Sequence, residues 1–436
     1  MLALCVIFCL NKNHSHYHLY LGVVVMPFFK KKTFHINALA LSLFAAFNIQ
    51  AADPAPSTQK ILDLIEAQQK ELDALKAQLK QSEQRTEQKV DAVSTMVEKQ
   101  QITSPSWVAN SRFGGYGELH YNNLKNNGVK GDLKEMDLHR FVLYFGHRFN
   151  DVIKFHSEVE YEHAAAGEDN KGEIEIEQAY LDFTVNPDLT VRAGVFILPI
   201  GIINETHEPN TFYGVERNPV EKKIIPSTWR EGGVSLIGKS PIAGLQYDVG
   251  VHSGLSASKD TNYDIYEGKQ KVSEAKANSL ATSARLKYTG IKGLEVATSL
   301  FYQDDISQQS DSSKTKALLW ETHADYQWQN FRLKALYARW KLDGDGAKAL
   351  GKDKQYGWYI EPSYKVNEQI GVFARYNEWD NGAAAGKESR YRQYDVGINY
   401  WAHPNVVIKA DYQHQNGPAG SDLYKGFNLG LGYQFF

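Results

Sequence analysis

The stretch FNLGLGYQFF, Phe427–Phe436, decides the fold. At period two, Phe427, Leu429, Leu431, Tyr433 and Phe435 fall on one face, and Asn428, Gly430, Gly432 and Gln434 fall on the other. This is a strand that stays apolar on one side to its last residue, where soluble chains usually fray into water. Such a face needs a core or lipid against it.

The rest of the chain repeats this texture. From Ser111 onward, sixteen segments of alternating polarity are separated in turn by short and long connectors. The short ones, FNDV, VNPDL, GKSPIAG, YTGIKG, WQN, KVNEQ and WAHPN, carry the Asn, Asp, Gly and Pro that tight turns require. The long ones include NNLKNNGVKGDLKE, AAAGEDNKG, a stretch around NETHEPNTFYGVERNPVEKK, and a polar run from Ser253 to Asn278. Tight turns at one end and long loops at the other are the pattern of an outer-membrane barrel.

The two faces separate a membrane barrel from a soluble sandwich. Phe331, Leu333, Ala335 and Tyr337 oppose Arg332 and Lys334; Ala284, Leu286 and Tyr288 oppose Arg285 and Lys287; Val406, Ile408, Ala410 and Tyr412 oppose Lys409 and Asp411. A sandwich would place Leu, Ile and Val inside. Here the apolar face carries aromatics toward strand ends, as the two interfacial girdles of a barrel do. The 25 Tyr, 20 Phe, 8 Trp and 34 Gly of the 436 residues agree with this reading. A run of ~20 apolar residues, as a membrane helix requires, is missing after the leader. The expected fold is all-β: a 16-stranded antiparallel transmembrane barrel over residues 110–436. Its last strand should pair with the first, SRFGGYGELHY, so that no edge remains.

The N-terminus has a different chemistry. Cys5 and Cys9, the only cysteines, precede a second methionine, Met26. From there Lys30, Lys31 and Lys32 lead into an apolar run, Ile36–Phe47, and then to Ala51 and Ala52. That is the layout of a secretory signal peptide over 26–51, which makes residues 1–25 an over-called start. His14, His16 and His18 then belong to the discarded start and not to a metal site. Removing residues 1–51 takes away four lysines and no acid, leaving 44 basic against 51 acidic residues, so nucleic acid is not the implied partner. Residues 52–103 hold a segment without Gly, Gln59–Gln101, rich in Glu, Gln, Lys and Ala. Ile65, Leu72, Leu79, Thr86 and Val93 recur at seven, interleaved with Ile61, Gln68, Leu75, Ser82, Lys89 and Met96. This predicts a short periplasmic coiled coil joining subunits, or else a solvated spacer.

The piece LTVRAGVFILPIGIINETHEPNTFYGVERNP, Leu189–Pro219, runs from a strand through Gly194, Phe196 and Pro199 into a long loop. On it the chain resembles the phosphate-selective porin O and P family of Gram-negative outer membranes, over roughly residues 110–436. That resemblance implies a homotrimer in outer-membrane lipid and lipopolysaccharide, with a third loop folded into the pore and basic residues selecting phosphate at the narrowest point.

Opposite the apolar parity of their strands stand Arg140, Arg192, Arg285, Lys287, Arg332, Lys334, Arg375 and Lys409, the basic candidates for the pore wall. Glu158 and Glu160 share a polar face, and the third loop adds Arg217, Lys222 and Lys223 among Glu205, Glu208, Glu216 and Glu221. If the family geometry holds, the three loop cations face Arg285, Lys287, Arg332 and Lys334. The expected function is a water-filled channel for small inorganic or organic hydrophilic solutes, weakly anion-selective, with no cofactor, no metal and no catalysis. The alternatives are a phosphate or polyphosphate channel, a structural barrel tethered by its coiled coil, and an enzyme built around His323 between Glu321 and Asp325. Sixteen strands weigh against a mere anchor, because roughly eight suffice for a filled barrel.

Overall fold

The computed structural model describes residues 106–164, 172–309 and 314–435, with a two-stranded ribbon near the N-terminus and helical positions Glu66, Gln69, Lys70 and Lys76. The chain divides into two compact units, residues 1–99 and 100–436. In the first, Ile7–Asn13 pairs antiparallel with His16–Gly22. The expected leader over 26–51 and every a and d position of the expected coiled coil lie outside the described residues. No helix among the described residues is long and apolar enough to cross a membrane.

The second unit is a closed barrel of sixteen antiparallel strands. Its first half comprises β1 (Ser111–Asn126), β2 (Leu133–Arg148), β3 (Ile153–Glu162), β4 (Ile174–Asn186), β5 (Leu189–Ile197), β6 (Arg230–Lys239), β7 (Leu245–His252) and β8 (Ala281–Tyr288). The second half comprises β9 (Leu294–Gln303), β10 (Lys316–Trp328), β11 (Phe331–Asp343), β12 (Lys354–Lys365), β13 (Ile370–Asp380), β14 (Arg390–His403), β15 (Val406–Asn416) and β16 (Tyr424–Phe435). Each strand pairs with its neighbours in sequence, and β16 closes onto β1 from Tyr424 opposite Asn126 to Phe435 opposite Gly115. Glycines of β1 make that seam possible. A Cβ on Gly117 would meet the Tyr433 hydroxyl at 2.6 Å, and one on Gly115 would meet the Phe435 ring at 2.8 Å.

Burial is inverted relative to a soluble protein. On β16, Phe427 is 63% exposed and Leu429 51%, while Asn428 between them is fully buried and donates to Asp411 and Gln413. Elsewhere Leu286, Leu300, Trp320, Ile360, Val396 and Ile408 are exposed, whereas Glu118, Arg140, Glu361, Arg375 and Asp411 are buried. An apolar exterior around a charged interior can be stable only in lipid, where backbone groups are satisfied by the closed ladder.

The first long connection is shorter than the sequence suggested. β1 and β2 extend through most of it and leave only residues 127–132, which Asp422 ties down by accepting from Lys130 N and Asn126 Nδ2, both at 2.8 Å. The third and fourth connections, residues 198–229 (L3) and 253–280 (L4), do not stand out in solvent. Leu198, Ile224 and Trp229 of L3 and Leu255 and Ile265 of L4 pack with Phe301, Leu319, Leu336, Trp340 and Tyr359 of the wall in one buried apolar cluster. β9 to β11 are therefore apolar on both faces near their long-loop ends. There the wall receives folded loops instead of water.

Candidate pore constriction

L3 turns inward at Gly201, whose φ of +87° suits glycine, and where a Cβ would strike Glu221 Oε2 at 2.6 Å. Glu221 is the loop's internal anchor. Its carboxylate accepts from the backbone of Ile202 and Ile203 at 2.8 and 2.7 Å and from the Tyr359 hydroxyl at 2.7 Å. The loop then crosses the lumen and is pinned to the far wall. Asp411 accepts from Val215 N at 2.6 Å, Arg375 donates to Tyr213 O at 3.2 Å, and Asn399 donates to Phe212 O at 3.1 Å. On the near side Arg140 donates to His207 O at 2.5 Å, and Trp340 Nε1 donates to Ile224 O at 2.9 Å. Carbonyls and amides of an irregular segment inside a barrel must find partners there, and these wall side chains supply them.

L3 borders two polar cavities. One, of about 800 Å³, lies toward the short turns and is lined by Glu205 and Tyr213 of the loop and by Arg285, Lys287, Arg332 and Lys334 of the wall. The other, of about 200 Å³, lies between the loop and β1 to β3 and is lined among others by Arg217, Lys222, His139, Glu160, Glu162 and His163. Arg217 and Lys222 on the one hand and the β8 to β11 cations on the other thus line different cavities. The residue that meets Arg285 from the loop is Glu205, through an ion pair. Glu205 of L3 faces the β8–β11 cations while Arg217 and Lys222 face β1–β3, so the opposition expected from the sequence does not form.

Most wall cations have an acid beside them. Arg140 pairs with Glu118, Arg192 with Asp182 at 2.8 Å, Arg332 with Asp325 through two bonds of 2.7 and 2.5 Å, and Lys287 with Glu295 at 3.9 Å. Arg375 lies between Glu361 and Asp395 at 3.0 and 3.1 Å, and both it and Lys409 are buried. Lys409 Nζ sits 3.6 Å from the Phe212 ring centroid. These two cations hold L3 in place and do not line an open passage. Glu158 accepts from His156 Nε2 at 2.9 Å, and Glu160 is buried beside L3.

The loop cations differ. Arg217 donates to Thr228 Oγ1 at 2.7 Å, Lys223 lies 5.7 Å from the Tyr266 ring centroid, and Lys269 of L4 donates to Ser227 O at 2.8 Å. Among the described residues, none of Arg217, Lys222 and Lys223 makes a salt bridge. Burial, with the positive charges of Arg230 and Lys271 nearby, pushes the Lys269 ammonium down to about 8. Burial likewise lowers Lys223, with Lys222 adding to the effect. Burial and then Arg217 and Arg140 push His207 down to about 4, so its ring is neutral at pH 7. Glu216 stays well below the usual carboxylate range: burial alone would raise it, but its hydrogen bond to His120 at 3.1 Å prevails.

His323 is held by Glu321 at 2.7 Å and Glu295 at 3.5 Å, while Asp325 is taken by Arg332. Among the described residues no hydroxyl hydrogen-bonds to His323, and Ser299, on the strand beside it, donates to Pro199 O at 3.2 Å. Two further features escaped sequence reading. The role of Glu221 as an anchor has no local signal. The receiving surface for the loops could have been found in LLWETH and LKALYARWKL, where the inward parity turns from charged to apolar.

A family model described as Gram-negative porin matches residues 210–420. Over 353 residues the chain is 30% identical to an uncharacterized protein of Aquifex aeolicus (strain VF5), which covers 72% of this chain and 78% of that one. The barrel is similar to Salmonella typhi OmpF in its complex with daunomycin, with TM-score 0.55, 13% identity, and coverage of 75% of this chain and 98% of the other. It is also similar to the anion-selective porin from Comamonas acidovorans, with TM-score 0.53, 13% identity, and coverage of 74% and 98%. At these identities the two structures bear on the fold alone. The chain belongs to one family with the Aquifex protein, and the porin match over residues 210–420 together with the closed sixteen-stranded barrel supports an outer-membrane channel of the Gram-negative porin type.

Proposed function

We propose that this channel is a general diffusion pore for small hydrophilic solutes with a weak preference for anions. One observation carries the reading. The wall cations are mostly offset by neighbouring acids, whereas Arg217 and Lys222, on the limb of L3 that crosses the lumen, are free of salt bridges among the described residues. A passing ion responds to the charge at the narrowest point, and paired charges contribute little there. Glu160 and Glu162 line the same cavity, which keeps the preference weak. A dedicated phosphate site would need several donors converging on one oxyanion, without carboxylates among them. The heptads of residues 59–101 support a homotrimer with that segment in the periplasm.

Reversal potentials across a planar bilayer in a chloride gradient test this reading, repeated with inorganic phosphate as competitor. A modest displacement toward the chloride equilibrium potential, with little block by phosphate, is expected. Strong cation selectivity would mean that Glu160 and Glu162 govern the constriction, and block at low phosphate would restore the phosphate-selective reading.

A further inference from the structure

Glu177 of β4 is fully buried beside the Glu160 carboxyl, and neither of its oxygens accepts from a nitrogen or hydroxyl donor among the described residues. Facing it at 3.7 Å is Nε2 of His207 on L3, a 3% exposed side chain whose Nε2 also lacks a partner. A buried carboxylate beside an idle imidazole nitrogen is costly unless something lies between them.

The geometry says what that is. His207 Nδ1 lies 2.8 Å from Asn204 O, an acceptor only, so Nδ1 carries the proton and Nε2 presents a bare lone pair toward Glu177. A backbone carbonyl fixing one ring nitrogen so that the other can ligate is the usual outer partner of a metal-bound histidine. The third donor is Glu158 of β3, whose carboxylate, with Glu177 and His207 Nε2, forms a set of ligand atoms all within 4.8 Å of one another. With bonds of ~2.1 Å, an ion spanning the 3.7 Å gap would subtend an angle of about 120°, within tetrahedral or five-coordinate tolerance. A β-bulge delivers the set: the register shifts where Glu158 faces Gln178 and Val159 faces Ile176, leaving Glu177 as the extra residue turned inward.

Charge agrees. Glu118 is taken by Arg140, so two carboxylates, Glu158 and Glu177, remain beside the lone pair of His207 Nε2, a donor set that suits a dication. The Glu158 side chain is also partly open and bonds to His156, which lines a cavity of about 530 Å³ at the short-turn end and offers a way in.

We propose that Glu158, Glu177 and His207 bind one divalent transition-metal ion of the zinc class, which clamps the base of L3 to the wall at β3 and β4. The ion replaces pore water between loop and wall. It thereby fixes the constriction from the side opposite the Asp411 and Asn399 contacts.

Full-length protein in detergent, stripped with a chelator and carrying His14, His16 and His18 as alanine, is titrated with Zn²⁺ by calorimetry. One Zn²⁺ per barrel is expected. His207→Ala and the near-isosteric Glu177→Gln should each weaken binding by at least ~10-fold, the loss that even an outer partner of a metal ligand causes. His163→Ala, which disrupts a more exposed Asp137, His139 and His163 group, should leave it unchanged. Should His207→Ala unsettle L3, Glu177→Gln decides, since it keeps the shape of the site. Absence of Zn²⁺ binding, equal binding in Glu177→Gln, or loss through His163→Ala instead would each overturn the assignment.

Discussion

Neutralising Arg217 should shift the ion preference of the channel by an amount that can be worked out. Its guanidinium lines the cavity between L3 and β1–β3 and is held by Thr228, not by a carboxylate. An ion passing ~6 Å from a unit charge in water feels about 0.7 kcal/mol, and screening over a Debye length of ~10 Å at 0.1 M salt reduces this to about 0.4 kcal/mol. Arg217→Gln removes that attraction for chloride and the equal repulsion for potassium, a combined change of about 0.8 kcal/mol in their relative partitioning. The chloride-to-potassium permeability ratio should therefore fall about fourfold. The effect should grow at 10 mM salt, where the Debye length is ~30 Å, and shrink at 1 M. Zero-current potentials in a KCl gradient give the ratio, and the double variant Arg332→Gln with Asp325→Asn serves as control because it removes an ion pair without changing the net charge. A ratio that stays within the scatter of the wild type, or moves toward anions, would refute the placement of Arg217 at the constriction.

Further outcomes follow from the same contacts. Lys269 loses its proton as pH rises through about 8, so the anion preference should decline between pH 7 and 9, and Lys269→Met should abolish that step in bilayer recordings. Glu221→Ala strips Ile202, Ile203 and Tyr359 of their shared acceptor, and hydrogen bonds to a charged group contribute about 1.5–3 kcal/mol each. L3 should loosen, giving larger and noisier single-channel currents while the barrel still migrates as folded. Deleting residues 59–101 should weaken a trimer on native gels without changing the conductance per barrel. An equally stable trimer would assign the segment another role.

The barrel was legible because its signals are local. Turn formers mark the seven short connections, and alternation such as that of Phe427 to Phe435 needs only period two, which lipid on one side and water on the other impose on every strand. The lining was legible only as parity. Arg140, Arg375 and Lys409 do point inward, yet what each does there depends on L3, whose path across the lumen is set by contacts between residues up to about two hundred positions apart, such as Val215 with Asp411. Glu221 looked like one more pore acid, because nothing near it in sequence shows that two amides and Tyr359 converge on it. Glu177 escaped notice for a different reason. A bulge adds one residue to β4 and breaks the period on which the reading relied.

The most direct test of the account is single-channel recording from the purified, folded protein in a planar lipid bilayer. Discrete conductance steps are expected, each from water-filled passages left beside L3 in the sixteen-stranded barrel. Protein shown to be folded and inserted in the bilayer, but passing no current, would contradict it.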